Sequence, residues 1–167
     1  MAYDLDFHEE GDLILHIKKF FLHPSSWNEA ENQIPITLSW RKYKFSPQNR
    51  TKIPTSSGVY AFVVIPEFDN CFETKYLFYA GKTNRTLRER YAEYLRERAG
   101  KGKPRNKVFK MFKQYDGYLH FFFSEIENSN DVDSCEDCLL NTFVPHVNVQ
   151  IAKAKIKPEL QYIYESA

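Results

Sequence analysis

The chain has 167 residues, 43% hydrophobic and 16% aromatic, with a formal net charge of +1. That length suits one domain with a real core, here one rich in Phe and Tyr. The sequence shows no apolar run of spanning length, no signal peptide and no lipidation signal, which excludes a membrane-spanning class and predicts a soluble, cytoplasmic protein.

Residues 1–11 are acidic and are expected to be loosely attached. Leu13–Leu22 is apolar but interrupted by Lys18 and Lys19, a pattern that suits strand or helix. His23-Pro24 breaks it, and Ser26 can cap a short helix from Trp27 to Gln33. Ile36, Leu38 and Trp40 alternate with Thr37, Ser39 and Arg41, predicting a half-buried strand. The basic and aromatic residues Arg41 to Phe45 suit base stacking or a strand running into a loop, and the structural reading is preferred. Residues 46–57, with Pro47, Asn49 and Pro54, read as a linker.

Two runs of β-branched and aromatic residues follow, near 59–65 and 75–80, separated by a polar loop at 66–74. They predict an antiparallel hairpin whose register sets Tyr60 beside Tyr79 on one face. Gly58 and Gly81 flank that corner and leave its backbone clear of side chains. Thr83 or Asn84 can cap a helix over about 85–99, stopped by Gly100 and Gly102. Its apolar arc holds Leu87, Tyr91, Tyr94 and Leu95; Arg90 lies at the edge beside Tyr94, and Arg88 falls within the arc. After a flexible cationic loop at 100–105, a second helix is predicted near 107–115 and a third strand near 117–126, with His120 packed in it. The last helix runs from about Asp131 to Phe143, capped by Asn130 or Asp131. Glu136 sits on its apolar arc with Val132, Cys135 and Leu139, and a carboxylate there is costly unless paired or metal-bound. Asn148, after Pro145, suits side-chain to backbone hydrogen bonds, and the tail reads as a strand and a short helical end beyond Pro158.

Charge is distributed unevenly. Residues 79–113 hold 12 Lys and Arg against 3 Asp and Glu, a local +9 that leaves −8 for the remainder and points to one face made for a polyanion. Arg85, Arg88, Lys101, Lys103, Arg105 and Lys107 are the candidate phosphate contacts. The three cysteines read as reduced thiols; Cys135 and Cys138 form a CxxC without the second pair that a zinc site needs.

Gly-Val-Tyr at 58–60, the hairpin, Tyr-Ala-Gly-Lys at 79–82 and the basic helix after it resemble the core of the GIY-YIG nucleases. Arg90, Glu136 and Asn148 follow in the family's order, so the resemblance covers about residues 57–150. It implies an α+β fold: a central three-stranded antiparallel sheet flanked by helices, with an N-terminal extension at 1–50, a nuclease core at 51–150 and a tail at 151–167. It further implies a divalent-metal-dependent endonuclease, most simply on DNA with RNA as an alternative, or a silent binding module on the same fold. Tyr60 would take the proton of the attacking water, Tyr79 would position water or phosphate, Arg90 would hold the scissile phosphate, and Glu136 would bind Mg²⁺ or Mn²⁺. A phenol titrates near 10, so Tyr60 needs a nearby cation, for which Lys82 or a metal-bound water is the expected source. Cutting both strands would take a homodimer or successive nicks.

Overall fold

The computed structural model describes residues 13–151 and 153–164. The acidic segment 1–11 lies outside the described residues. Helix α1 (Pro24–Gln33) is followed by β1 (Arg41–Lys44), a 3-10 helix (Pro47–Lys52), β2 (Gly58–Val64), β3 (Tyr76–Thr83), α2 (Leu87–Arg98), α3 (Asn106–Gln114), β4 (Leu119–Glu125) and α4 (Ser129–Phe143). Short helices α5 (His146–Val149) and α6 (Pro158–Gln161) and a second 3-10 helix (Tyr162–Tyr164) close the described chain, and no strand forms among the described residues of the tail. Among the described residues no helix is long and apolar enough to cross a membrane.

The class is α+β, and the sheet has four antiparallel strands in the order β1-β4-β2-β3 rather than three. The additional strand comes from the N-terminal region: Arg41–Lys44 pairs with Phe123–His120 of β4. The alternating stretch before it forms no ladder, because Ile34, Ile36 and Leu38 pack as half-buried side chains around Val59, Ile126 and Val132. Alternation records burial, and burial was met here without a strand partner. Leu13–Leu22 forms no regular element beyond one turn at its start.

Strand periodicity gives each face of the sheet its own helices. On one face Tyr60, Phe62 and Tyr79 pack against Tyr91 and Tyr94 of α2 and Phe112 of α3, a core of interlocked rings. On the other, Val59, Ala61 and Ala80 pack against Val132, Cys135 and Leu140 of α4. Helix α2 starts two residues later than expected because Thr86 closes a capping box with Glu89, which satisfies two N-terminal backbone donors reciprocally. Asn128 caps α4, its side chain accepting from the Asn130 amide, so this helix begins earlier than the sequence suggests. The thiols of Cys71, Cys135 and Cys138 are free, the last two buried.

Candidate functional site

The register of β2 and β3 differs from the sequence reading. Tyr60 lies opposite Gly81, and Tyr79 lies opposite Phe62; an irregularity between Phe62 and Val63 shifts the ladder beyond. The two tyrosines still share a face, as diagonal rather than direct neighbours. Gly81 has a specific reason to lack a side chain. A Cβ there would lie 2.6 Å from the Tyr60 hydroxyl and 2.8 Å from its ring carbon Cζ, so the Tyr60 ring occupies the space a side chain at 81 would fill. Gly58 is equally constrained by main chain, since a Cβ there would meet the Ser124 carbonyl oxygen at 2.1 Å.

Three phenols and two guanidinium groups meet beside that point. Tyr60 Oη lies 2.9 Å from Tyr94 Oη, and Arg90 donates to both, Nε to Tyr60 at 3.0 Å and Nη2 to Tyr94 at 3.1 Å. Arg105 donates to Tyr79 Oη at 3.2 Å and lies over the rings of Tyr79 and Tyr94. Each arginine is oriented by a carboxylate of α2: Glu93 accepts from Arg90 at 2.6 Å, and Glu97 accepts from Arg105 Nη2 at 3.1 Å. Arg90, Glu93, Tyr94 and Glu97 recur at helical spacing, which puts all four on one face of α2. Tyr60 is 1% exposed. Burial raises its pKa, with the neighbouring Tyr79 adding to the rise and Arg90 opposing it, so the phenol stays protonated at neutral pH. Burial disfavours the charge on Arg90, but the phenols and Glu93 more than offset this and it remains a cation.

Arg90, not Arg88, therefore reaches the phenol. Arg88 is fastened to main chain, donating to the carbonyls of Ile53 at 2.7 Å and Thr51 at 3.0 Å, and so ties α2 to the 3-10 helix instead of facing a ligand.

A second polar set lies on the opposite face. Lys82 pairs with Val59 in the ladder, alternates with Gly81, and turns its ammonium to α4, where it bonds Asp133 and lies 3.7 Å from Glu136. The expectation that Lys82 would serve Tyr60 is corrected by this pleat; Arg90 is the cation at the phenol. The Glu136 side chain is 14% exposed, and burial raises its pKa against the pull of Lys82 and Lys155. Among the described residues no group of three or more His, Cys, Asp or Glu side chains is placed to hold a metal. What is present is Glu136 with Asp133 one turn away, two hard-oxygen donors of the kind Mg²⁺ or Mn²⁺ takes, which a cation would share with the Lys82 ammonium.

Asn148 acts on the same edge strand. Its buried carboxamide accepts from the Ala80 amide at 2.8 Å and donates to the Ala80 carbonyl at 2.9 Å. It occupies the outward backbone groups of Ala80, on an edge strand whose free groups could otherwise pair with another strand.

Beside the phenols, Arg90, Lys101, Lys103 and Arg105 line a cleft of about 450 Å³. Lys107 lies elsewhere, lining a cleft of about 280 Å³ with Lys18, Lys110 and His146. Arg85 is exposed and bonds Glu93. His120 is buried and lies 2.9 Å from Glu67, as a packed histidine should.

No known protein family, characterised protein or solved structure matches this chain. Functional inference thus rests on this geometry and on the motif residues. Sequence reasoning placed Tyr94 in the core and passed over Glu93 and Glu97; the available signal was their helical spacing from Arg90.

Proposed function

We propose that the chain is a divalent-metal-dependent endonuclease that hydrolyses DNA phosphodiester bonds, built on a GIY-YIG-like core. The observation that carries this reading is the Tyr60 hydroxyl held by Arg90 Nε at 3.0 Å, beside a side-chain-free position in an edge strand and next to a cationic cleft. Phosphodiester hydrolysis needs an oriented water, charge neutralisation on the phosphoryl oxygens and a stabilised leaving group. Arg90, polarised by Glu93, is placed to hold the scissile phosphate. Tyr60 sits within its reach: in its minor phenolate form, stabilised by the hydrogen bonds from Arg90 and Tyr94, it would take the proton of the attacking water and return to the phenol. Tyr79, kept in place by Arg105, orients the phosphate from the same face.

Glu136, with Asp133 beside it, would hold the cation, which when bound supplies charge neutralisation at the leaving oxygen. The Tyr60 and Glu136 sets approach the substrate from the two faces of the sheet, around the edge strand at Gly81. Incubation of supercoiled plasmid with Mg²⁺ and with EDTA tests the reading. Wild type should nick or linearise only with Mg²⁺, and Glu136→Ala should lose at least two orders of magnitude in rate.

One observation favours a second reading, a silent nucleic-acid-binding or protein-interaction module. Among the described residues, no hydrogen bond or ion pair joins the Tyr60–Arg90 set to the Lys82–Glu136 set. Binding of DNA without turnover in the same assay would select it.

A further inference from the structure

The acidic residues of α2 are all committed. Glu89 closes the capping box, Glu93 serves Arg85 and Arg90, and Glu97 serves Arg105. Arg98 takes Asp116. This leaves a subset of cations with no ion pair or side-chain hydrogen bond among the described residues: Arg50 on the 3-10 helix, Arg96 on α2, and Lys101 and Lys103 in the loop after it. All four are exposed.

They are also grouped. The cleft beside Arg90 and Arg105 adjoins a second cleft of about 430 Å³, lined by Arg50, Arg85, Arg96 and Lys101. Glu93, Arg96 and Lys101 border both, so they form the ridge between them. The two clefts lie on adjacent faces of α2, so a strand that reaches from one to the other crosses the helix and sets more than one phosphate against it. Uncompensated cations repel one another and weaken the fold, so their gathering on both sides of one ridge suits a ligand that brings several negative charges in a row.

We infer that the second cleft is a phosphate-binding site for the same nucleic-acid strand, and that Arg50, from the N-terminal region outside the nuclease-like core, anchors it. The inference rests on the nucleic-acid reading above and extends it. A strand whose scissile phosphate lies at Arg90 crosses the ridge at Arg96 and Lys101 and places flanking phosphates at Arg50. The substrate is then an oligonucleotide that spans both clefts, not a mononucleotide or a single phosphomonoester. Arg88, bonded to the Ile53 and Thr51 carbonyls, fixes the 3-10 helix that carries Arg50 against α2. Arg50 is thereby held beside α2 without a bound ligand.

Fluorescence anisotropy in EDTA, where no cleavage occurs, tests this with a labelled mononucleotide, dinucleotide and octanucleotide and with an octanucleotide duplex, over a range of NaCl. Affinity should rise steeply from dinucleotide to octanucleotide, and the single-stranded and duplex arms identify which form the clefts take. Arg50→Ala and Arg96→Ala, both at exposed positions, should each weaken octanucleotide binding on the order of fivefold and lower the salt slope by about one, and Arg50→Ala, at a residue that lines the second cleft alone, should leave mononucleotide binding unchanged. Equal binding of mononucleotide and octanucleotide, or octanucleotide binding by both variants at the wild-type level, overturns the inference. Its failure is separable from failure of the nuclease reading. Wild type that cuts DNA while both variants bind normally defeats the second cleft alone. Wild type that binds with the expected length dependence but never cuts defeats the nuclease and leaves the cleft standing.

Discussion

Replacing Gly81 by Ala should displace the phenol at the centre of the site. The added Cβ would sit 2.6, 2.8 and 3.0 Å from Oη, Cζ and Cε2 of Tyr60, all closer than carbon contacts tolerate. Escape is blocked, because Tyr60 is stacked on Phe121 at 5.3 Å between centroids and packed edge-to-face on Tyr94 at 5.7 Å. Overpacking of a tight core costs about 1–3 kcal/mol. Moving Oη off Arg90 and Tyr94 adds roughly another 1–2 kcal/mol, since both bonds are buried or nearly so. The total expected from urea denaturation is about 2–5 kcal/mol, a large part of the stability of a domain of this size. The cycle with Tyr60→Phe isolates the cause: losing the atom at 2.6 Å should reduce the cost of Gly81→Ala by roughly 1 kcal/mol. Gly81→Ala within about 0.5 kcal/mol of wild type, or an equal cost in both backgrounds, would refute the argument.

Asn148→Ala leaves both outward backbone groups of Ala80 without their partner, so chemical denaturation should show a loss of about 2–4 kcal/mol. Asn148→Asp should lose a comparable amount, because a carboxylate cannot donate to the Ala80 carbonyl. His146 gives the protein an acid-side weakness. Burial, then Lys18 and Lys107, lower its pKa to about 4. The unfolded chain takes up this proton near pH 6.5, whereas the folded one resists until about 4, so stability falls as pH drops through that window and is unaffected above it. The gap corresponds to about 3 kcal/mol, and His146→Gln should flatten the decline in urea midpoint between pH 7.5 and 4.5. A decline as steep as that of wild type would assign the loss to other groups.

Much of the site was legible because its signals are local. Glycines at 58 and 81, two aromatic-rich strands, a basic helix with Arg90 bordering its apolar arc, and a carboxylate on the buried side of a later helix can each be read within a dozen residues. Register was not local. The loop joining β2 and β3 is too long to set it as a tight turn would, and the irregularity at Phe62/Val63 shifts it further. The placement of Lys82 failed for the same reason: one step along a strand reverses the face, so a cation adjacent in sequence to Gly81 serves α4 and not Tyr60. The N-terminal strand was expected a few residues early and outside the sheet, because alternation in 36–40 reports burial, while the ladder that forms at Arg41–Lys44 depends on the exposed edge of β4, a partner about 80 residues away in sequence. Asn148 was expected to act on backbone, but its particular target, both polar groups of Ala80, depends on the tertiary placement of α5 against β3.

Cleavage of supercoiled plasmid in Mg²⁺ by wild type and Tyr60→Phe, with equal folding verified by circular dichroism, tests the central claim most directly. The ring stays and only the hydroxyl held by Arg90 is lost, so wild type should cut and the variant should be slower by about two orders of magnitude or more. Cutting at the wild-type rate by Tyr60→Phe, or none by wild-type protein that binds the plasmid, would contradict the account.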